Sequence, residues 1–266
     1  MPMTADAIET AARTLQDHRR RVVPLPALPE SCRPATTEEG YAIQRALIAL
    51  RIREDGARSI GWKIGATNPG ARELLGVTEP FFGVLLDNLT TDSPSSFVAS
   101  QMFQRVIEPE IAVLIGTDLD PAGAPFDAAA IRRVARAVLP AIEVVDTPLS
   151  TGLKAGGPSL IADDGSHGRW VKGASVTNWQ NLDLLEHKVT MAVDGSVVRE
   201  GRGGNVDGGP FGATAWLANA LAALGLGLKA GQYVTTGTTT QPIPVDAGQS
   251  VVADFGTLGR IEIRFS

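Results

Sequence analysis

The stretch RVIEPEIAVLIG, residues 105–116, places two glutamates, Glu108 and Glu110, in an otherwise apolar run. Strand alternation puts Ile107, Ile111, Val113 and Ile115 on one face, with Ala112 and Leu114 on the other. Residues two apart share a face, so the two carboxylates point the same way. A third glutamate, Glu143, lies in AIEVVDT, on a separate strand able to pair beside the first. Three carboxylates converging in a core require a cation. Oxygen-only ligation suits Mg²⁺ or Mn²⁺, which keep coordination positions for water and substrate. The competing reading is a solvated strand edge with Glu108 and Glu110 paired to Arg105; the apolar flanks of Glu143 weigh against it. The histidines His18, His167 and His187 are scattered and Cys32 is the sole cysteine, so neither a His-rich nor a Cys-based zinc site is expected.

Lys63, in GWKIG, is a lysine between Trp and Ile in a short strand. It is either a snorkelling side chain or an ammonium beside the metal, available for proton transfer or for stabilising an enolate. VTTGTTTQPIPV, residues 234–245, follows a strand with hydroxyls and backbone N–H groups in a turn. It reads as a carboxylate-binding turn or as an ordinary polar β-turn.

The elements around these residues sort into two parts. Residues 1–58 form an N-terminal helical segment, and residues 59–266 the domain that carries the chemistry. TADAIETAARTLQDHRR spaces Ala5, Ile8, Ala12 and Leu15 helically behind a Thr4 cap; TTEEGYAIQRALIALRIRE carries a capping box at Thr36 and Glu39. The two helices suit a small lid or a dimerisation element. FDAAAIRRVARAVLP reads as a helix capped by Asp127 and stopped at Pro140, and KVTMAVDGSVVREGRG as a hairpin turning at Asp194-Gly195. GATAWLANALAALGLGL reads as a helix with Trp216, Leu217, Ala220, Leu221 and Leu224 inward. The irregular mixture of strands and helices predicts an α+β fold with a curled or barrel-like mixed sheet and flanking helices. No dinucleotide or phosphate-loop motif stands in a strand-to-helix context.

The chain has 266 residues, 44% hydrophobic and 20% charged, with net charge −5. This composition supports a sizeable core and excludes wholesale disorder. No basic patch dense enough for nucleic acid is present, and no run approaches the ~18–20 apolar residues of a membrane span. The N-terminus lacks a signal-peptide pattern, so the protein is read as cytoplasmic, binding neither nucleic acid nor membrane.

Taken in order, GWKIGATN, GVTEPFFGVLLDN, EPEIAVLIG, AIEVVD, SLIADDGSHGRWVKG, GPFGATAWLANALAALGLGLKAGQYVTTGT and VVADFGTLGRIEIRF resemble the 2-keto-4-pentenoate hydratase / 4-oxalocrotonate decarboxylase family of the fumarylacetoacetate hydrolase superfamily. The resemblance implies a mixed β-roll or barrel of the fumarylacetoacetate hydrolase type, a homo-oligomer, and a divalent metal held by Glu108, Glu110 and Glu143. It makes Lys63 an active-site residue and places Thr236, Gly237 and Thr238 at the substrate carboxylate. One position departs from the pattern: where hydratases of the family tend to carry an acid before the aromatic-glycine pair, this chain has Phe81. Asp164 and His167 are the candidates to act as acid or base in its place, and Asp87 is a further candidate against the substrate.

The implied activity is metal-dependent chemistry on a short 2-oxo acid or its enol, foremost hydration of 2-hydroxypenta-2,4-dienoate to 4-hydroxy-2-oxopentanoate in aromatic-compound catabolism. Decarboxylation of a vinylogous 2-oxo acid, or carbon–carbon hydrolysis of an acylpyruvate such as maleylpyruvate, is the alternative that Phe81 raises. A catalytically silent partner subunit is the reading from another class, and it leaves Glu108, Glu110, Glu143 and Lys63 without a purpose.

Overall fold

The computed structural model describes residues 3–266. Helix α1 (Ala5–Arg21) starts where the Thr4 hydroxyl accepts the Ala7 N–H, and α2 (Thr37–Asp55) where Thr36 accepts that of Glu39. The Glu39 carboxylate turns back to the Ala35 N–H at 2.8 Å, which completes the cap. Next come β1 (Ser59–Gly65), α3 (Pro69–Leu75), β2 (Phe81–Leu86), the short β3 (Thr90–Asp92) and β4 (Ser95–Phe97), and the long β5 (Val106–Ile115). Helix α4 (Ala128–Val134) leads into β6 (Ala135–Val145), followed by α5 (Gly157–Ala162) and β7 (His167–Lys172). The hairpin β8 (Lys188–Val193) and β9 (Ser196–Arg202) turns at Asp194-Gly195, both at positive φ. Helix α6 (Gly209–Ala222), β10 (Tyr233–Thr238), β11 (Ile243–Pro244), β12 (Ser250–Asp254) and β13 (Arg260–Phe265) complete the chain.

The strands form two mixed sheets. One runs β2-β1-β10-β5-β6-β7-β3 with β11 beside β5; the other runs β4-β13-β12-β8-β9. Leu85 of β2 and Trp170 of β7 lie toward opposite ends of the first sheet, yet meet in one cluster with Ala112, Leu139 and Ala141. The sheet therefore curls, which is the roll the sequence predicts. Its other face, with Ile111, Val113, Ile142 and Val171, packs on Val251, Ile263 and Phe265 of the second sheet and on Leu217 and Leu221 of α6.

Two expectations are corrected, and of the two readings of the N-terminal helices the lid finds no support. The helix ends at Val134, and residues 135–145 are strand; Pro140 lies within it, just past the last β6–β7 pair, Ala141 with Lys172. Leu224 lies beyond α6 and is exposed. Helices α1 and α2 line no part of the main cavity. Helix α2 packs on α1 and on α5, and both helices share a buried cluster with Leu160, Ile161 and Phe81. Among the described residues, no helix is long and apolar enough to cross a membrane.

Candidate active site: a carboxylate cluster beside a buried lysine

Strand register assembles the site. Glu108 on β5 is the cross-strand partner of Glu143 on β6, so the two side chains stand side by side on one face. Glu110 follows two residues on. Lys63 pairs in register with Thr235, and Thr235 with Ala112, which carries the same face across to β1. One carboxylate oxygen from each of Glu108, Glu110 and Glu143 lies within 4.8 Å of the others. Glu110 and Glu143 are fully buried, whereas Glu108 forms part of the wall of a cavity of about 650 Å³.

The orientation of each group has a local cause. The register of β10 against β5 slips between Thr235 and Thr238, a bulge at which Gly237 adopts φ 102°. The slip turns the Gly237 N–H onto Glu110 Oε2 at 3.0 Å, the oxygen that also accepts the Thr235 hydroxyl. Trp170 Nε1 donates to Thr235 Oγ1 at 3.1 Å and fixes that hydroxyl. A Cβ on Gly237 would fall 1.9 Å from Thr67 Oγ1, so the bulge requires glycine. His167 Nδ1 donates to Glu143 Oε1 at 2.9 Å, and the Lys63 ammonium stands 3.4 Å from the same oxygen. Lys63 also donates to the Gly165 carbonyl at 2.8 Å.

Among the described residues, Glu110 Oε1 and Glu143 Oε2 are buried without a hydrogen-bond partner, as is His167 Nε2. Unpartnered buried carboxylate oxygens are costly unless a cation meets them. Burial and the neighbouring Glu143 push Glu108 up to about 7, and the same causes with Glu108 added push Glu110 well above the carboxylate range. Glu143 is held low: burial opposes its charge, but Lys63 and His167 outweigh it. Burial acts to lower the Lys63 pKa, yet Glu143, Glu108 and Glu110 together raise it above the ordinary lysine value. Hard oxygen donors with surplus negative charge and unfilled lone pairs fit a divalent cation.

This arrangement makes metal affinity pH-dependent. Without metal, Glu108 has a folded pKa near 7 against about 4.5 unfolded, so the folded state binds more protons between those values. Its contribution to metal-free stability is therefore present at acid pH and lost as pH rises through 7. A divalent cation competes with that proton. Thermal unfolding in EDTA and in millimolar Mg²⁺ should show a gap in Tm that widens from pH 5 to 8; a constant or shrinking gap contradicts the assignment.

The remaining candidates fall in different places. Thr238 and Gly237 line the cavity. Thr236 does not: its hydroxyl donates to the Ile111 carbonyl at 2.7 Å on the opposite face, and Thr235 takes the place beside the glutamates. Asp87 lies outside the cavity, paired to Arg58 at 2.8 Å. Asp164 is buried behind Lys63, accepting the Val84 N–H at 2.8 Å and facing Arg51 at 3.4 Å. Asp164, Gly165 and Ser166 form three consecutive left-handed residues, at φ 57°, 65° and 61°. Such geometry costs about 1–2 kcal/mol per non-glycine residue. The buried pairs Arg51–Asp164 and Arg19–Asp163 tie the turn to α1 and α2.

This placement predicts a structural phenotype for Asp164→Asn. Leaving Arg51 underpaired should lower stability by about 3 kcal/mol, measured by urea unfolding, with a lesser effect on turnover per folded molecule. A loss of turnover above about a hundredfold at unchanged stability would instead make Asp164 the acid.

The cavity wall also carries Phe81, the departure noted in the sequence, and two groups the sequence does not single out, Ser166 and Asn205. Phe81 packs its ring over Gly65 and Gly165, with its centroid 5.5 Å from Lys63 Nζ. The Ser166 hydroxyl is buried and unpartnered at the cavity wall. Asn205, reaching in from before α6, donates to the Thr239 carbonyl at 2.7 Å. Neither Ser166 nor Asn205 stands in a periodic pattern that would point to it.

No family model matches the chain. Individual relatives do. The chain is 32% identical over 262 residues to a 2-hydroxyhexa-2,4-dienoate hydratase of Comamonas testosteroni, covering 97% of each. It is 31% identical over 261 residues to a 2-keto-4-pentenoate hydratase of Paraburkholderia phymatum, covering 98% of this chain and 97% of that one. A 4-oxalocrotonate decarboxylase of Pseudomonas putida is 30% identical over 230 residues, 86% of each. Among solved structures, the 4-oxalocrotonate decarboxylase of Pseudomonas putida G7 in complex with magnesium and adipate superposes with a TM-score of 0.92 at 26% identity, covering 99% of this chain and 98% of that one. A fumarylpyruvate hydrolase of Pseudomonas aeruginosa, at TM-score 0.60 and 15% identity over 78% of this chain and 89% of that one, shares the fold alone. With full-length relatives at this level and the same curled sheet, the chain belongs to the 2-keto-4-pentenoate hydratase / 4-oxalocrotonate decarboxylase family.

Proposed function

We propose that the protein is a Mg²⁺- or Mn²⁺-dependent hydro-lyase that adds water to a 2-hydroxy-2,4-dienoate of the 2-hydroxypenta-2,4-dienoate type, giving the 4-hydroxy-2-oxo acid. The observation that carries this reading is the convergence of Glu108, Glu110 and Glu143, two with unpartnered buried oxygens, beside Lys63 at the wall of the cavity. Glu108, Glu110 and Glu143 would hold the cation. A divalent cation there supplies Lewis-acid polarisation of the 2-oxo group and stabilises the enolate.

The chain's own groups do the rest. Thr235 and the Gly237 N–H fix one oxygen of Glu110 and leave the other free, and His167 fixes Glu143 in the same way. Lys63 adds a positive charge next to the developing enolate oxygen and moves the proton of the dienol hydroxyl. Once the three carboxylates are neutralised, burial dominates at Lys63 and its ammonium becomes a usable donor. Protonation of the dienol at C5 gives the 3-en-2-one. Water then adds at C4 while C3 takes a proton, so the net change is the gain of one water. Thr238 lines the cavity, where its hydroxyl would exchange the Thr240 carbonyl for the substrate carboxylate, while the Gly237 N–H stays on Glu110.

Decarboxylation is the second reading, and Phe81 favours it. An aromatic ring stands beside Lys63 where hydratases tend to place an acid, and loss of CO₂ needs no attacking water. Against it, 4-oxalocrotonate is a dicarboxylate. Among the described residues that line the cavity, only Lys63 and Glu108 are charged, so a second carboxylate finds no cation. The test is a Mg²⁺-dependent ultraviolet assay on 2-hydroxypenta-2,4-dienoate with the product weighed by mass spectrometry. A gain of one water that EDTA abolishes supports the hydratase. No turnover, together with CO₂ release from 4-oxalocrotonate, gives the decarboxylase.

A further inference from the structure

The cavity is larger and more apolar than a five-carbon acid requires. Its volume of about 650 Å³ falls within the ~300–1,000 Å³ that enclose drug-sized ligands. Its charge is confined to one end, at Lys63 and Glu108. Much of the remaining wall is hydrocarbon: Phe81, Leu75 and Leu74 of α3, Leu160 of α5, and Leu153 from the short turn that packs against α3. Leu74 and Leu153 are 67% and 37% exposed, so the apolar wall continues to the surface. Two cations flank this wall in sequence and neither lines the cavity: Arg72 is committed to Asp207 at 2.7 Å and to the Ala66 carbonyl at 3.1 Å and lines a neighbouring hollow, and Lys154, next to Leu153, is exposed on the outer surface.

We propose that the cavity selects a singly anionic 2-oxo acid or dienol whose far end is an alkyl chain or ring extending beyond C5, seated against Phe81, Leu75, Leu160 and the exposed pair Leu74 and Leu153, and that it disfavours a second carboxylate there. The inference rests on the proposed chelation of a 2-oxo acid at the carboxylate cluster and adds the chemistry of the other end. A carboxylate set against this wall loses its hydration without gaining a partner, whereas each methylene gains from burial.

Binding of unreactive analogues to the Mg²⁺-loaded protein tests this by calorimetry: 2-oxopentanoate, 2-oxooctanoate, 4-phenyl-2-oxobutanoate, and the dicarboxylate 2-oxoadipate. Full burial of a methylene corresponds to about fourfold in affinity, so partial burial of three should still make 2-oxooctanoate at least tenfold tighter than 2-oxopentanoate. The phenyl compound should gain similarly, and 2-oxoadipate should bind no better than 2-oxopentanoate. Leu74→Asp, at an exposed position that leaves folding intact, should reduce the octanoate-to-pentanoate ratio at least fivefold. Equal affinities along the series, or a dicarboxylate tighter than the monoacids, would overturn the inference while leaving the chelation reading standing. Failure of every 2-oxo acid to bind the metal-loaded protein would overturn that reading, and the inference with it.

Discussion

Glu110→Gln should abolish divalent-metal binding and reduce turnover by at least a thousandfold, while the metal-free protein becomes more stable than its parent. The two effects share one cause. Glu110 is fully buried beside Glu108 and Glu143, and burial with that repulsion drives its carboxyl well above the usual range. Glutamine has nearly the same shape. Its amide oxygen can still accept from Thr235 and from the Gly237 N–H, so the bulge in β10 stays anchored. The substitution removes an ionisable group whose burial costs free energy at neutral pH, and the cation loses a ligand it cannot replace. A relief of about 1 kcal/mol would raise Tm by roughly 2–4 °C for a chain of this size. Calorimetry in EDTA and a Mn²⁺ titration read the two arms separately. A variant that unfolds would place Glu110 among the structural ion pairs; one that keeps metal and activity would remove it from the site.

Lys63→Met should have the opposite profile: turnover falls about 10²–10⁴-fold, the range for loss of a positioned acid or base, while metal affinity holds or rises. The ammonium lies 3.4 Å from Glu143 Oε1 and competes with a cation for the same negative charge. Removing it leaves the three carboxylates more attractive to metal. The methylene stem survives in methionine, so packing against Gly165 and the ring of Phe81 is largely kept, although the Gly165 carbonyl loses its donor. The comparison needs kcat and metal Kd from the same preparation. A fall in turnover that tracks lost metal occupancy, with full activity per bound metal, would make Lys63 a structural counter-charge only.

Much of this site is legible in the sequence because it depends on strand alternation. Glu108 and Glu110 share a face by period, and Glu143 could be placed beside them because an acid amid AIEVV needs a partner. The hairpin turn at Asp194-Gly195 and the caps at Thr4 and Thr36 are similarly local, since each depends on residues within a single turn. What escaped depends on breaks in the period or on tertiary placement. The bulge at Gly237 exchanges Thr236 for Thr235, and no single-strand pattern announces a one-residue slip. VARAVLPAIEVV is apolar enough to read as helix or strand, and pairing with β5 decides for strand. Asp87 and Asp164 are near the site motifs only along the chain. In space, one pairs with an exposed arginine and the other sits behind Lys63 in a buried ionic network. The second cannot be seen without the fold that brings Arg51 to the turn at residues 163–166.

The central claim is that Glu108, Glu110 and Glu143 hold one divalent cation that meets a 2-oxo acid. Its most direct test is a Mn²⁺ titration followed by electron paramagnetic resonance, with and without 2-oxopentanoate. The prediction is one Mn²⁺ per chain, lost in Glu110→Gln, with a bound-ion spectrum that changes when the 2-oxo acid is added. Absence of binding at millimolar Mn²⁺, or a bound ion whose spectrum ignores the 2-oxo acid, would contradict it.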